Sequence, residues 1–142
     1  MSYSDKQGVV IHSQVLLEGV LSTRESSCEI LNLVLDRVIY PVADRCLLSL
    51  YMYNLLSPLL SMKPIFVKDF MKKFSSLCEL VSPTPLSQKN REYLGDQYVY
   101  YSISISAGKI PLISPRLHYF LGDHKIHIPV FTPGGYIKDQ GY

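Results

Sequence analysis

Charge is thin and cysteine scarce in this chain: 18% of its 142 residues are Lys, Arg, Asp or Glu, and three are Cys. The usual charged share of a soluble domain is roughly 25%. Cys28, Cys46 and Cys78 form an odd set with no close pair, which fits reduced, buried thiols better than a disulfide framework. No long uninterrupted apolar run is present either. The greasiest stretch, Cys46 to Val67, is broken by Asn54, Pro58, Lys63 and Pro64, whereas a membrane span wants about 20 predominantly apolar residues. Met1-Ser-Tyr-Ser-Asp-Lys-Gln lacks the basic and apolar regions of a secretory leader, so a cytoplasmic location is expected.

Glycine gives no phosphate loop. Gly8 and Gly19 are isolated and Gly134-Gly135 opens no recognisable nucleotide motif, which sets nucleotide chemistry aside. Asp44, Glu79, Glu92, Asp96 and Asp123 fall on no common element, so paired-carboxylate catalysis has no support. No catalytic residue, no cofactor and no metal ligand set is therefore expected, and integral membrane insertion is not expected.

What is there is apolar and aromatic: 47% hydrophobic residues, eleven Tyr and five Phe, with a mean hydropathy of +0.12. That surplus suggests apolar surface covered by a partner or by a second copy. The net charge of +2 is uneven. Residues 1–57 carry four bases against six acids, and residues 58–142 ten against six. With a pI near 8.4 the second half is only mildly basic.

The clearest periodicity lies in Pro64–Val81. Val67, Phe70, Met71, Phe74, Leu77, Cys78 and Val81 recur at offsets of three and four, so an amphipathic helix is predicted with Lys68, Asp69, Lys72 and Lys73 off the apolar stripe. Upstream, Gly8 to Leu21 is rich in branched residues and reads as a strand, broken or bulged near Ser13. Ser26 and Glu29 have capping-box spacing, predicting a helix from about Ser27 to Tyr40. Pro41 suits the start of another, through Leu56.

Beyond Ser82 the text turns polar to Gln97, then alternates. Val99, Tyr101, Ile103 and Ile105 oppose Tyr98, Tyr100, Ser102, Ser104 and Ser106, the period of a strand. Ala107-Gly108-Lys109 reads as a hairpin turn, Leu117 to Phe131 as a further hairpin whose Pro129 belongs at an edge. These readings together predict a single α+β domain: an N-terminal strand, about three central helices within 26–81, a loop over 82–97, a C-terminal, mainly antiparallel β-meander over 98–131 and a loose tail over 132–142.

Two constellations are candidates for chemistry. His118, His124 and His127 lie near Asp123, but their spacing matches no ligand motif, and the bland reading as strand or surface histidines is preferred. Cys28, in the first turn of a predicted helix, is the one thiol a helix terminus would activate; catalysis there is disfavoured.

Surfaces remain. The expected function is a non-enzymatic, intracellular protein–protein interaction or structural protein that self-associates or binds a protein partner, with the general character of a small viral or accessory protein. The alternative is a single-stranded RNA-binding protein, with Lys68, Lys72, Lys73, Lys89 and Arg91 on phosphates and Tyr98 and Tyr100 stacking on bases. No family resemblance is carried by Tyr98–Ser106 or Leu121–Pro129.

Overall fold

Val9, Val10 and Ile11 in strand β1 (Gln7–Ile11) are all fully buried, as are Ile39, Val42 and Ala43 in β2 (Ile39–Ala43). Continuous apolar burial without alternation is the signature of parallel strands covered on both faces. The computed structural model describes residues 6–57, 63–83, 85, 87–117 and 128–142. Within them the chain runs β1, α1 (Ser13–Leu21), α2 (Glu25–Leu35), β2, α3 (Arg45–Leu55), α4 (Pro64–Leu77) and β3 (Glu79–Leu80). Then come α5 (Gln88–Leu94), a 3-10 turn at Gly95–Gln97, α6 (Tyr98–Ser106), β4 (Leu112–Ile113), β5 (Val130–Phe131) and α7 (Pro133–Gln140).

The five strands form one sheet in the order β3-β2-β1-β4-β5, every pair parallel. The chain winds outward from β1 to β3, returns past β1, and winds outward again to β5. This is a doubly wound α/β sheet, and it replaces the expected α+β architecture with its antiparallel meander.

Tyr98–Ser106 is a helix, not a strand. Tyr100, Tyr101, Ser102, Ile103 and Ser104 are buried in succession, so α6 is covered nearly all round and has no apolar stripe to announce it. Its serines also satisfy themselves locally: Ser102 Oγ donates to the Val99 carbonyl (3.0 Å) and Ser104 Oγ to the Ile110 carbonyl (2.7 Å). Such bonds make serine tolerable inside a buried helix.

The N-terminal branched stretch divides at His12, which caps α1, so β1 stops at Ile11. The Ser26–Glu29 capping box does not form; Arg24 occupies the N-cap position, and Ser27 Oγ donates to Glu18 at 3.1 Å. Helix α2 ends early because Arg37 turns left-handed (φ 61), with the Val38 amide donating to the Leu33 carbonyl at 2.9 Å. Ile39 to Ala43 then forms the strand that the proline reading had placed in helices. Pro41 is tolerated there because β3 joins β2 only from Val42 onward, beyond the missing donor. Gly8 pairs with Tyr40 across β1 and β2. A Cβ at Gly8 would come within 2.9 Å of the Tyr40 ring, so any larger residue there would push the end of that ring aside.

Helix α4 follows its predicted stripe, with Val67, Met71 and Phe74 buried, but it ends at Leu77 and the chain enters β3. The expected loop over 82–97 contains α5 and the 3-10 turn. The expected tail is helix α7, capped by Thr132 Oγ1, which accepts from the Gly135 amide at 3.1 Å. Tyr136 fastens it to the core, fully buried against the Phe131 ring. The predicted hairpin around His118, Asp123, His124 and His127 lies outside the described residues, while Val130–Phe131 pairs with β4 in parallel at the sheet edge.

Candidate functional site

In an open parallel sheet, ligands sit outside the carboxyl ends of the strands where the winding reverses. Here that place lies between β1 and β4. The residues leaving these two strands are His12 and Ser13, and Ser114 to Arg116.

This end of the sheet is spanned by α3 and α6. The Tyr51 hydroxyl of α3 donates to the Ile11 carbonyl, and Asn54 Nδ2 donates to Ser13 Oγ at 2.8 Å. From α6, the Tyr100 hydroxyl accepts from the Ser13 amide at 3.1 Å. The His12 ring stacks on Tyr100 with centroids 4.7 Å apart, and its Nδ1 accepts from the Gln14 amide at 3.1 Å. The ring proton therefore sits on Nε2.

Burial controls the chemistry of this cluster. It lowers His12 to about 4, so the imidazole is neutral at physiological pH. It raises Tyr51, helped by Tyr100, Cys78 and Asp44, against the opposing hydrogen bond to Ile11. Burial raises Tyr100 as well. Both phenols stay protonated.

The first-turn amides of α1 are all taken. Ser13 and Gln14 use Tyr100 and His12 side chains, while Val15 and Leu16 donate to the His12 carbonyl at 3.0 and 3.3 Å. An anion finds no unpaired donor at this helix start. The same economy recurs at other strand exits. Asp44, after β2, caps α3 by accepting from the Leu47 amide at 2.7 Å, and Thr132, after β5, caps α7. The polar side chains leaving β1, β2 and β5 hold the following helices.

A second feature is open. Between α3 and α4 runs a groove of about 570 Å³, lined by Leu48, Met52 and Met71 with Tyr53 beside them and Lys68 and Lys72 on the α4 side. Tyr53 is 76% exposed and Ile65 70% exposed. Ile65 lies three and seven residues before Lys68 and Lys72, in the same row along α4. Among the described residues, no carboxylate lines the groove. Another cavity, about 720 Å³, lies at the amino ends of β1 and β2 between Lys6, Asp36, Arg37 and Tyr40, away from the carboxyl edge where such sheets bind ligands.

The residues expected to hold nucleic acid are dispersed. Lys68 and Lys72 border the α3–α4 groove, whereas Lys73 does not line it. Lys89 and Arg91 are on α5, and the Arg91 guanidinium lies over the Tyr98 ring, 5.2 Å from its centroid. Tyr100 is 2% exposed, inside the cluster at the end of β1. Sequence reasoning missed His12, Tyr51 and Asn54; the clue to His12 was its place between an apolar run and a helical segment.

The three thiols are free, Cys46 exposed and Cys28 and Cys78 half-buried. Burial pushes Cys78 up to about 12. Among the described residues, no three His, Cys, Asp or Glu side chains converge in a way that would hold a metal ion, and no helix is long and apolar enough to cross a membrane. No protein-family profile, no curated protein and no solved structure matches the chain.

Proposed function

We propose that the chain is a non-enzymatic protein-interaction domain that works by contact through its α3–α4 face, in the reducing environment of the cytoplasm. The observation that carries this reading is the contrast between two surfaces. At the carboxyl end of β1, the polar groups are spent on one another: His12, Tyr51, Asn54 and Tyr100 each serve a backbone or side-chain partner. On α3 and α4, Tyr53 and Ile65 are exposed at 76% and 70%. Large exposed apolar side chains near a groove fit contact better than catalysis. Three free thiols suit the compartment.

Nucleic-acid binding draws less support, because Tyr100 is buried and Arg91 already lies on Tyr98.

The test is recovery of affinity-tagged chain from the cells that make it, comparing wild type, Tyr53→Glu with Ile65→Glu, and Tyr100→Phe. The contact reading expects the α3–α4 variant to melt like wild type and lose its bound protein, while Tyr100→Phe keeps it. Equal recovery of partner with the α3–α4 variant would overturn it.

A further inference from the structure

The α3–α4 groove has a chemistry of its own, and it narrows the kind of partner. Its floor is Leu48, Met52 and Met71, its outer edge is Tyr53, and its two charged lining residues are Lys68 and Lys72. A groove between two helices, with an apolar floor, accepts the apolar side chains that one face of an amphipathic helix offers at i, i+3, i+4 and i+7. Two methionines among the floor residues suit that role, since the unbranched thioether adapts to the shape of what it meets. The cations are on the α4 side only, one helical turn apart, where a carboxylate row along one border of a docked helix would face them. With no carboxylate in the lining among the described residues, a basic or neutral helix gains nothing from that border.

We propose that the groove between α3 and α4 docks an acidic amphipathic helix of a partner protein, with its apolar face on Met52 and Met71 and its glutamate or aspartate row against Lys68 and Lys72. This rests on the contact reading above and adds the sign and the secondary structure of the partner. The lysine ammonium groups contribute through exposed pairs, so they set orientation, on-rate and salt dependence more than raw affinity. The apolar floor supplies the rest.

The experiment uses the full chain and two fluorescent, covalently constrained helical peptides, both with leucines at i, i+3, i+4 and i+7. One carries glutamates along a single border and the other carries lysines in their place. Anisotropy titration is expected to give roughly tenfold tighter binding for the glutamate peptide, weakened by added salt. Lys68→Glu with Lys72→Glu is expected to reverse that order while leaving the melting temperature unchanged, because both lysines are exposed. Amide shifts on binding should centre on Met52, Tyr53 and Met71.

Equal binding of the two peptides, binding indifferent to the charge reversal, or no binding would each overturn the proposal. So would a concentration-dependent dimer of the chain alone that the same variants abolish, since a second copy would then own the groove. The contact reading fails separately: it survives a peptide failure if Tyr53→Glu with Ile65→Glu still releases the cellular partner, and falls if that variant retains it.

Discussion

The Tyr100 hydroxyl accepts a hydrogen bond from the Ser13 amide at 3.1 Å, joining residues 87 positions apart. One bond thereby ties the first turn of α1 to α6, and the first strand of the sheet to the segment preceding β4. Tyr100→Phe keeps the ring and its stacking on His12 but leaves a buried backbone donor without its acceptor. A loss of about 1–3 kcal/mol in unfolding free energy is expected, read by urea denaturation. An unchanged midpoint would mean that the hydroxyl is dispensable to the helix start.

His12 makes stability depend on pH with a definite sign. Its folded pKa of about 4 lies below the ordinary 6.5, so on acidification the unfolded chain takes up this proton first. The contribution of the neutral ring is complete above 6.5, declines as the pH falls from there toward 4, and is gone below. His12→Asn keeps a side chain able to cap α1 and removes the titration. The variant's melting temperature is expected to fall less than wild type's between about pH 7 and about pH 4.5. Parallel curves would contradict a buried, neutral His12.

Two phenylalanines of α4 should separate core from surface. Phe74 is fully buried, edge-on to Tyr51 with centroids 5.7 Å apart and stacked on Phe70 at 5.8 Å. Phe74→Ala is expected to cost about 3–5 kcal/mol. Phe66→Ala, at 52% exposure, is expected to fall within about 0.5 kcal/mol of wild type. Chemical denaturation of both variants checks the pair, and similar losses would misplace the α4 stripe.

Thiol reactivity should follow exposure. Cys46 is exposed in the first turn of α3, whereas Cys78 is partly buried, bonded to the Phe74 carbonyl at 3.4 Å and pushed up to about 12. An aromatic disulfide reagent at mildly alkaline pH is expected to modify Cys46 quickly and Cys78 only on unfolding. Mass spectrometry of tryptic peptides locates the label. Rapid native modification of Cys78 would contradict its burial.

The sequence disclosed elements in proportion to how one-sided they are. Helix α4 has a wet face and a dry one, so Val67, Met71 and Phe74 stood out at helical spacing. Helix α6 is dry nearly all round, and its interspersed serines mimicked a strand's alternation. The two-residue strands β3, β4 and β5 are too short to carry any period, so neither parallel pairing nor strand order was readable. Helix α7 did leave a signal, Thr132 followed by Pro133 and ending in left-handed Gly141, the usual order of cap, first-turn proline and terminal glycine. Where a loose tail is expected over 132–142, that signal marks a helix. At the candidate sites, Lys68 and Lys72 were visible as charges off an apolar stripe. Their partners across the groove, Met52 and Tyr53, depend on how α3 lies beside α4, which spacing along one segment does not encode.

Strand β1 is the centre of the sheet and also its first strand, flanked by β2 on one side and β4 on the other. Ile11 meets Ile113, so about 100 residues must follow before that second flank can close. At translation speeds of roughly 5–20 residues per second, β1 stands with one unpaired side for about 5–20 s. During that interval the row Val9-Val10-Ile11 is an open template for any other extended chain. The nascent protein is thus most vulnerable to mispairing and most in need of a chaperone after β2 has formed and before Leu112 arrives.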